Sequence, residues 1–355
     1  MKRLPNLDVL RFILATLVIL FHIPQLAKNQ GLPYFSEAPI FHRGTEAVYM
    51  FFVLSGYLII GQIANYKQRG VFSIKRFYAR RALRILPLYY LIVVFGFLFY
   101  WKLLPFMGFN FPNTYPLWKG LLLTCFFLPN VFASLYTPGG ILEILWSIGI
   151  EEQFYLFIAP LLFWVTKQKL LRVLVLLLLL YFLVFHLDFA HVLRQFSMVY
   201  FFLFGGGIIA VLEQKGALEF LKKTLIIPLG ISIFVGLYFT TNWFLFETLW
   251  VRNLFVCVMF SLFVHTISVN HRGVIIENKY LNYFGRISYG IYMYHAISMN
   301  LVVFLFLKFP EVPLSNTLSI FIMNVSVIGL TLLVSHLSYR YFETYFLNLK
   351  SKFRK

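Results

Sequence analysis

The chain consists of apolar stretches of about twenty residues that are separated by short islands of charge, and this pattern leaves few folds open. Of its 355 residues, 60% are hydrophobic and only 12% are charged, whereas soluble domains carry roughly a quarter of charged residues. A helix of about 20 apolar residues crosses a bilayer and satisfies its own backbone hydrogen bonds there. We therefore expect an all-α polytopic membrane protein, with residues 1–355 forming a single integral-membrane domain.

Ten apolar stretches have the length and composition of transmembrane helices. They are residues 8–27, 44–65, 84–102, 143–166, 171–187, 195–213, 224–241, 250–268, 287–307 and 316–340. An eleventh stretch, Leu117 to Val131, rises only about 22 Å as a helix, and Pro129 closes it. Because the hydrocarbon core is roughly 30 Å thick, we expect about ten spans plus one re-entrant or surface-lying segment.

Basic residues are distributed unevenly between the two sets of loops. With ten spans, both termini and alternate loops hold 21 lysines and arginines, and the opposite loops hold six. The positive-inside rule then predicts that both termini are cytoplasmic and that the segment from Lys102 to Leu142 lies outside. Basic loops against an anionic leaflet also explain the net charge of +18, so no nucleic-acid partner is expected. Cys125 and Cys257 lie in apolar stretches without CxxC spacing, and we expect no metal site.

The first span carries an arginine and a histidine, which a bilayer disfavours. Arg11 and His22 lie within roughly 20° of one helix face and about 16 Å apart along its axis. A charged residue inside a span costs about 2.5 to 3.5 kcal/mol on insertion scales, so such residues indicate function. Alternatively, Arg11 extends to lipid phosphates and His22 lies at the outer interface ahead of Pro24. His295, inside the ninth span, fits either a functional role or an interhelical hydrogen bond.

The fourth span begins with the sequence WSIGIEEQFY. Ser147, Glu151 and Tyr155 are spaced i, i+4 and i+8 and share one helix face, while Glu152 points about 100° away. A carboxylate inside a span needs a partner, and Glu151 is expected to pair with either polar residue of the first span or with a substrate hydroxyl. An interhelical lock without a catalytic role is the alternative.

A basic run, KRFYARRALRILPLYY, leads into the third span. Arg81 and Arg84 are three residues apart on one helix face and form a fork suited to phosphate oxygens, with Arg80 beside them. Clustered arginines also determine the orientation of a membrane protein. Phosphate recognition and topology therefore both remain open as interpretations of this run.

Six segments of the chain resemble the motifs of integral-membrane acyltransferases of the acyltransferase 3 type, which O-acetylate bacterial surface glycans. They are LDVLRFILATLVILFHIP, FFVLSGYLI, RRALRILPLYY, WSIGIEEQFYLFIAPLL, RISYGIYMYH and YFETYF. One short motif could occur by chance, but six in the same order and at matching depths are specific. The family's Arg-x10-His falls on Arg11 and His22, and its RxxR falls on Arg81 and Arg84.

The resemblance implies an O-acyltransferase of the bacterial cell (inner, cytoplasmic) membrane. It would move an acetyl or other acyl group from cytoplasmic acyl-CoA, usually acetyl-CoA, to a hydroxyl of a lipid-linked or surface glycan, surrounded by membrane lipids and without a metal. Arg81, Arg84 and Arg80 would bind the donor's phosphates. The pantetheine arm would pass Arg11.

The resemblance also suggests the catalytic residues. His22 would accept the proton of the acceptor hydroxyl, since a neutral imidazole is a proton acceptor near neutral pH. Glu151 would orient this imidazole or balance its charge. Ser147 and Tyr155 would donate hydrogen bonds to the developing oxyanion. Arg11, on the face of His22, is expected to belong to the same set.

One position departs from the family pattern. Many members carry an acidic residue two positions before the FF of the second-span signature, where this chain has Tyr49. Glu46, one turn earlier on roughly the same face, is a candidate replacement.

The rival interpretation is a transporter or flippase for a lipid-linked or small anionic substrate, because many spans with buried charges also describe a carrier. A binding or scaffolding membrane protein without turnover is a third class. Carriers usually have inverted repeats and broken helices, and apart from the Gly205 to Gly207 triplet, which favours close helix contact or a local break, the sequence has neither.

Overall fold

The computed structural model describes residues 5–109, 111–112, 114–222, 226–244, 246–268, 278–309 and 315–353, and within these ranges the chain is helical without β-strands. The longer helices are α1 (Pro5–Asn29), α2 (Gly44–Gln68), α3 (Ile74–Leu98), α4 (Leu117–Cys125), α5 (Pro129–Tyr136), α6 (Trp146–Trp164), α7 (Leu170–His186), α8 (Tyr200–Gln214), α9 (Ile226–Thr240), α10 (Leu249–Ser268), α11 (Lys279–Arg286), α12 (Ser288–Lys308) and α13 (Asn316–Ser338). Short helical segments connect or extend them: Pro39–His42, Phe99–Leu103, Leu104–Phe106, Gly140–Glu143, Asp188–Ala190, His191–Gln195, Glu219–Lys222, Tyr339–Glu343, Thr344–Leu349 and Lys350–Phe353.

Six helices of the described ranges are long and apolar enough to cross a membrane. They are α1, α2, α10, α12 and, with their short extensions, α3 (Ile74–Phe106) and α13 (Asn316–Phe353). Helix α7 and the segment Asp188–Gln195, bent by 92°, would form a seventh span. Helices α8 and α9 are apolar but shorter, and α6 coincides with the predicted fourth span. The prediction of an all-α polytopic membrane protein is confirmed, and each of the predicted spans coincides with a helix.

The basic run before the third predicted span is itself helical. Helix α3 begins at Ile74, well before residue 84, because Ser73 accepts a hydrogen bond from the backbone N–H of Arg76 at 3.4 Å and the following Arg, Ala and Leu residues are good helix formers. The arginines of this run therefore project from a regular helix surface. Several other basic residues on which the predicted orientation rests lie outside the described residues: Lys2, Arg3, Lys223, Arg272, Arg354 and Lys355.

The short apolar stretch from Leu117 to Val131 is broken into α4 and the start of α5. Each of these helices rises only about 13 Å, so neither crosses a bilayer. At the break, backbone carbonyl groups accept hydrogen bonds from the side chains of Tyr89 at 2.8 Å, Tyr90 at 3.2 Å and Gln153 at 2.6 Å. Irregular backbone is tolerated at membrane depth only where it is buried in protein, and these three side chains provide that environment.

Helices α2 and α8 approach each other closely at two glycines. A Cβ atom at Gly56 would overlap the carbonyl oxygen of Leu203, and a Cβ atom at Gly206 would overlap the carbonyl oxygen of Val53. Helix α8 continues without interruption through its three glycines, so the predicted close contact is confirmed and the predicted local break is absent. Helix α1 packs against α2, α11 and α12, while α6 packs against α2, α3 and α5.

Candidate active-site cavity

Five helices, α1, α2, α3, α6 and α12, enclose a cavity of about 320 Å³. Three arginines and two carboxylates line it: Arg11, Arg81, Arg84, Asp8 and Glu151. Hydroxyl and amide side chains complete its polar surface: Ser55, Gln62, Ser147, Tyr155, Ser288, Tyr289 and Tyr292. Cationic groups thus outnumber anionic groups in a cavity whose remaining lining is partly polar and partly apolar.

The first wall is the inner face of α1. Asp8 and Arg11 are three residues apart, so they project to the same side, and an oxygen of Asp8 lies 3.4 Å from Nη1 of Arg11. This separation exceeds the 2.7–2.9 Å of a well-formed charge-assisted hydrogen bond. Arg11 therefore keeps hydrogen-bonding capacity for another anion.

The second wall is the face of α6 that the spacing predicted. Ser147, Glu151 and Tyr155 all line the cavity, whereas Glu152 is buried on another side of the helix. The Tyr155 hydroxyl donates to Oε2 of Glu151 at 2.8 Å and is also in contact with Oγ of Ser55 on α2. The partner of Glu151 is thus a tyrosine of its own helix, and its role toward His22 stays a prediction.

A serine and a tyrosine join α6 to α12. The Tyr292 hydroxyl donates to the carbonyl oxygen of Ile144 at 2.9 Å, and Oγ of Ser147 lies 2.7 Å from the same hydroxyl. Because the Tyr292 proton is used on the carbonyl, Ser147 is the donor in the second hydrogen bond. The proton of Ser147 is therefore engaged in the structure, as is that of Tyr155.

Of the three neighbouring arginines of α3, two line the cavity and one does not. Arg81 and Arg84 line the cavity, and Nη2 of Arg81 donates to Oε1 of Gln62 at 3.1 Å. Arg80 does not line it: its guanidinium lies 4.9 Å from the centroid of the Tyr66 ring, and it donates to the Tyr66 hydroxyl at 3.2 Å. The neighbouring arginines Arg80 and Arg81 thus point to different places because consecutive helical residues are about 100° apart.

His22 lies farther along α1 and does not line the cavity. Its half-buried ring stacks on His295 of α12, with ring centroids 5.4 Å apart and an interplanar angle of 27°. His295 is fully buried, and its Nδ1 contacts the carbonyl oxygen of Tyr292, so that nitrogen carries the proton. Within the described part of the chain, Nε2 of His295 has no hydrogen-bond partner.

Tyr49, which stands at the family's acidic position in the second span, and the nearby Glu46 both have partners outside the cavity. Glu46 pairs with Arg43 at 3.4 Å, and Tyr49 stacks on Phe202 with ring centroids 4.6 Å apart. Neither Glu46 nor Tyr49 lines the cavity. Helix α2 instead contributes Ser55 and Gln62, which are two turns apart on one face.

Sequence reasoning missed several polar residues of the cavity. Asp8 could have been found from its i, i+3 spacing to Arg11, and Ser55 and Tyr292 lie inside the segments FFVLSGYLI and RISYGIYMYH. No motif or residue spacing in the sequence pointed to Gln62.

Among the described residues, no group of three or more His, Cys, Asp or Glu side chains is arranged to hold a metal ion.

Two curated proteins are similar to this chain in sequence. Peptidoglycan O-acetyltransferase OatA of Listeria monocytogenes is 27% identical over 374 residues, which covers 97% of this chain and 56% of that protein. An uncharacterized protein of Haemophilus influenzae is 33% identical over 129 residues, which covers 34% of this chain and 49% of that protein. The chain thus spans about half the length of the curated relatives it matches. No solved structure matches it.

The family match includes the whole cavity. The model of the acyltransferase domain family covers residues 4–337, a range that contains all five helices around the cavity as well as His22 and His295. It ends before the short helical segments that follow α13. The chain therefore belongs to the acyltransferase domain family, as its six motifs predicted.

Proposed function

We propose that the protein is a membrane-bound O-acyltransferase that moves an acetyl or other acyl group from cytoplasmic acyl-CoA to a hydroxyl of a lipid-linked or surface glycan. The observation that carries this proposal is the cavity itself. It brings Arg11, Arg81, Arg84 and Glu151, from three segments far apart in sequence, into one enclosed space within an acyltransferase family domain.

The donor binds at the basic end of the cavity. Arg81 and Arg84 present guanidinium groups that suit bidentate contact with phosphate oxygens, and the weakly paired Arg11 extends the positive surface inward. Apolar residues of α1 and α2 line the rest of the path and suit the uncharged pantetheine arm. Arg80 lies outside this cavity and contacts the donor only beyond its mouth.

The reaction needs a base that accepts the proton of the hydroxyl and hydrogen-bond donors that stabilise the oxyanion. His22 accepts the proton of the acceptor hydroxyl, whose oxygen then attacks the thioester carbonyl carbon. The C–S bond breaks, and the CoA thiolate leaves and is protonated. Ser147 and Tyr155 supply donors for the oxyanion by exchanging their present hydrogen bonds to Tyr292 and Glu151 for the reacting oxygen.

The acceptor approaches from the end of α1 that carries His22. A lipid-linked sugar is our first choice because the segment between Lys102 and Leu142, predicted to lie outside, offers a surface there. The name of the Listeria relative adds peptidoglycan to the candidate glycans. In this arrangement the protein is a single integral domain of the cell membrane, with both termini cytoplasmic.

Two experiments test the proposal. Purified protein is incubated with acetyl-CoA and an acceptor, and the free thiol is measured; CoA release that depends on His22 supports acyl transfer. Absence of release with every glycan acceptor, combined with acceptor movement across vesicles, would favour a carrier. Mass spectrometry of surface glycans from cells with and without the gene then identifies the acceptor through loss of an acetyl group.

A further inference from the structure

The end of the chain folds back against the basic part of α3. The segments Thr344–Leu349 and Lys350–Phe353 both pack on this helix. Nη1 of Arg80 lies 3.5 Å from the carbonyl oxygen of Phe353. These segments follow residue 337, where the family match ends, and only the first of them overlaps a family motif, YFETYF.

This fold-back brings a lysine into a group of arginines. Lys350 is half-buried, and the charged groups that act on it are Arg84, Arg81 and Arg80, all of them cations. None of these four cations forms a salt bridge with a carboxylate of the described residues. Glu151 and Glu343 act on the arginines of this group, but among the described residues no carboxylate is one of the charged groups that act on Lys350.

Such an arrangement is unfavourable without an anion. Like charges repel most strongly where water is partly excluded, and a half-buried lysine among arginines gains nothing from its neighbours. An anion with several acceptor oxygens removes the repulsion and accepts hydrogen bonds from both ammonium and guanidinium groups. A phosphate group has this chemistry.

We propose that Lys350 and Arg80 form a second phosphate-binding site at the mouth of the cavity, adjacent to the Arg81 and Arg84 side chains that line it. This proposal rests on the proposed acyl-CoA donor, which carries a diphosphate and, apart from it, a phosphate on its ribose. One donor molecule can therefore engage both sites. The headgroup phosphate of an anionic lipid is the other source of the same chemistry.

The test compares two neighbouring lysines in the full-length protein. Lys350→Gln removes the half-buried charge, and Lys352→Gln removes an exposed charge from the same turn as a matched control. Binding of acetyl-CoA and of its analogue without the ribose phosphate is measured in detergent without phospholipid. Thermal stability is then measured in nanodiscs with and without phosphatidylglycerol.

We expect Lys350→Gln to weaken acetyl-CoA binding roughly tenfold and Lys352→Gln to leave it unchanged. The analogue should bind wild type and Lys350→Gln alike if the ribose phosphate is the ligand. Lys350→Gln should also raise the melting temperature of the ligand-free protein, because repulsion among the cations is relieved; a folding defect would instead lower it.

The remaining outcomes distinguish the donor phosphate from the lipid phosphate, and the phosphate site from the proposed acyltransferase function. Unchanged donor affinity with loss of the stabilisation by phosphatidylglycerol would assign the site to a lipid phosphate. Identical behaviour of the two lysine variants in every measurement would overturn the site. Wild-type protein that neither binds acetyl-CoA nor releases CoA would refute the proposed function, while the lipid measurement would still report on Lys350.

Discussion

The imidazole rings of His22 and His295 stack with their centroids 5.4 Å apart and an interplanar angle of 27°. His295 contacts the carbonyl of Tyr292, whose hydroxyl accepts a hydrogen bond from Ser147 at the cavity surface. These contacts form a continuous connection from the cavity to His22. The orientation of the His22 ring, the proposed base, is thus coupled through α12 to Ser147 of α6.

His22→Ala and His22→Asn should both abolish acyl transfer while membrane abundance and acetyl-CoA affinity stay close to wild type. Asparagine retains hydrogen bonding at a similar size but lacks a nitrogen that accepts a proton. The measurement is CoA release per folded molecule, with donor binding determined on the same samples. Near-normal release by His22→Asn would remove His22 as the base and make Glu151 the leading candidate.

His295→Ala should lower turnover at least tenfold without changing donor affinity, because it removes the ring against which His22 stacks. His295→Phe should retain most activity, since it preserves an aromatic face and removes a buried nitrogen that has no partner in the described residues. Steady-state kinetics with acetyl-CoA distinguish the two variants. Equal loss in both would show that the nitrogen atoms of His295, and not its ring face, are needed.

Arg81→Ala combined with Arg84→Ala should weaken acetyl-CoA binding by roughly a hundredfold or more, because two charge-assisted contacts worth roughly 1.5 to 3 kcal/mol each are lost. Of the single variants, Arg84→Ala should have the larger effect, since Arg81 already donates to Gln62. Equilibrium binding to purified protein gives the affinities. Arg76→Ala, an exposed position on the same helix, is the control. Unchanged affinity in the double variant would limit these arginines to a role in topology.

Tyr155→Phe should reduce turnover roughly tenfold and leave donor affinity nearly unchanged. The lost hydroxyl donates to Glu151 and contacts Ser55, so both groups lose a partner inside the cavity. Tyr181→Phe is a suitable control because its hydroxyl donates to the carbonyl of Met198 at 2.6 Å, away from the cavity. A similar loss of turnover in both variants would indicate a general packing effect.

The predicted orientation is tested by single cysteines in a variant that lacks Cys125 and Cys257. A cysteine at Lys119, which is exposed on α4, should react with an impermeant thiol reagent added to intact cells. A cysteine at Gln68, at the end of α2, should react only after the membrane is opened. The reverse pattern would invert the topology and place the arginines of α3 outside.

The sequence predicted the face of α6 because helical periodicity decides which of Ser147, Glu151, Glu152 and Tyr155 point together. Helical periodicity likewise places Arg81 and Arg84 on one face of α3, and both line the cavity. A re-entrant or surface-lying segment from Leu117 to Val131 was predicted from its length, but its break into two helices and its hydrogen bonds from three distant side chains were not.

Contacts between distant segments were beyond sequence reasoning. Nothing in the spacing of residues pairs His22 with His295 or Lys350 with Arg84, because such pairs depend on how the helices are arranged around one another. Glu46 was a candidate for the missing acidic residue; its pairing with Arg43 follows from i, i+3 spacing, but its position away from the cavity does not. Periodicity assigns faces to helices, whereas packing decides which faces meet.

The reciprocal contact of Gly56 and Gly206 has a mechanical consequence for turnover. Since each glycine abuts the main chain of the opposite helix, α2 and α8 cannot slide or separate without leaving a void at two points. The two helices therefore form a rigid unit. The cavity wall that carries Ser55 and Gln62 keeps its position during substrate binding and product release. Any widening that admits a bulky donor is then expected from the other walls of the cavity, which are α1, α3, α6 and α12.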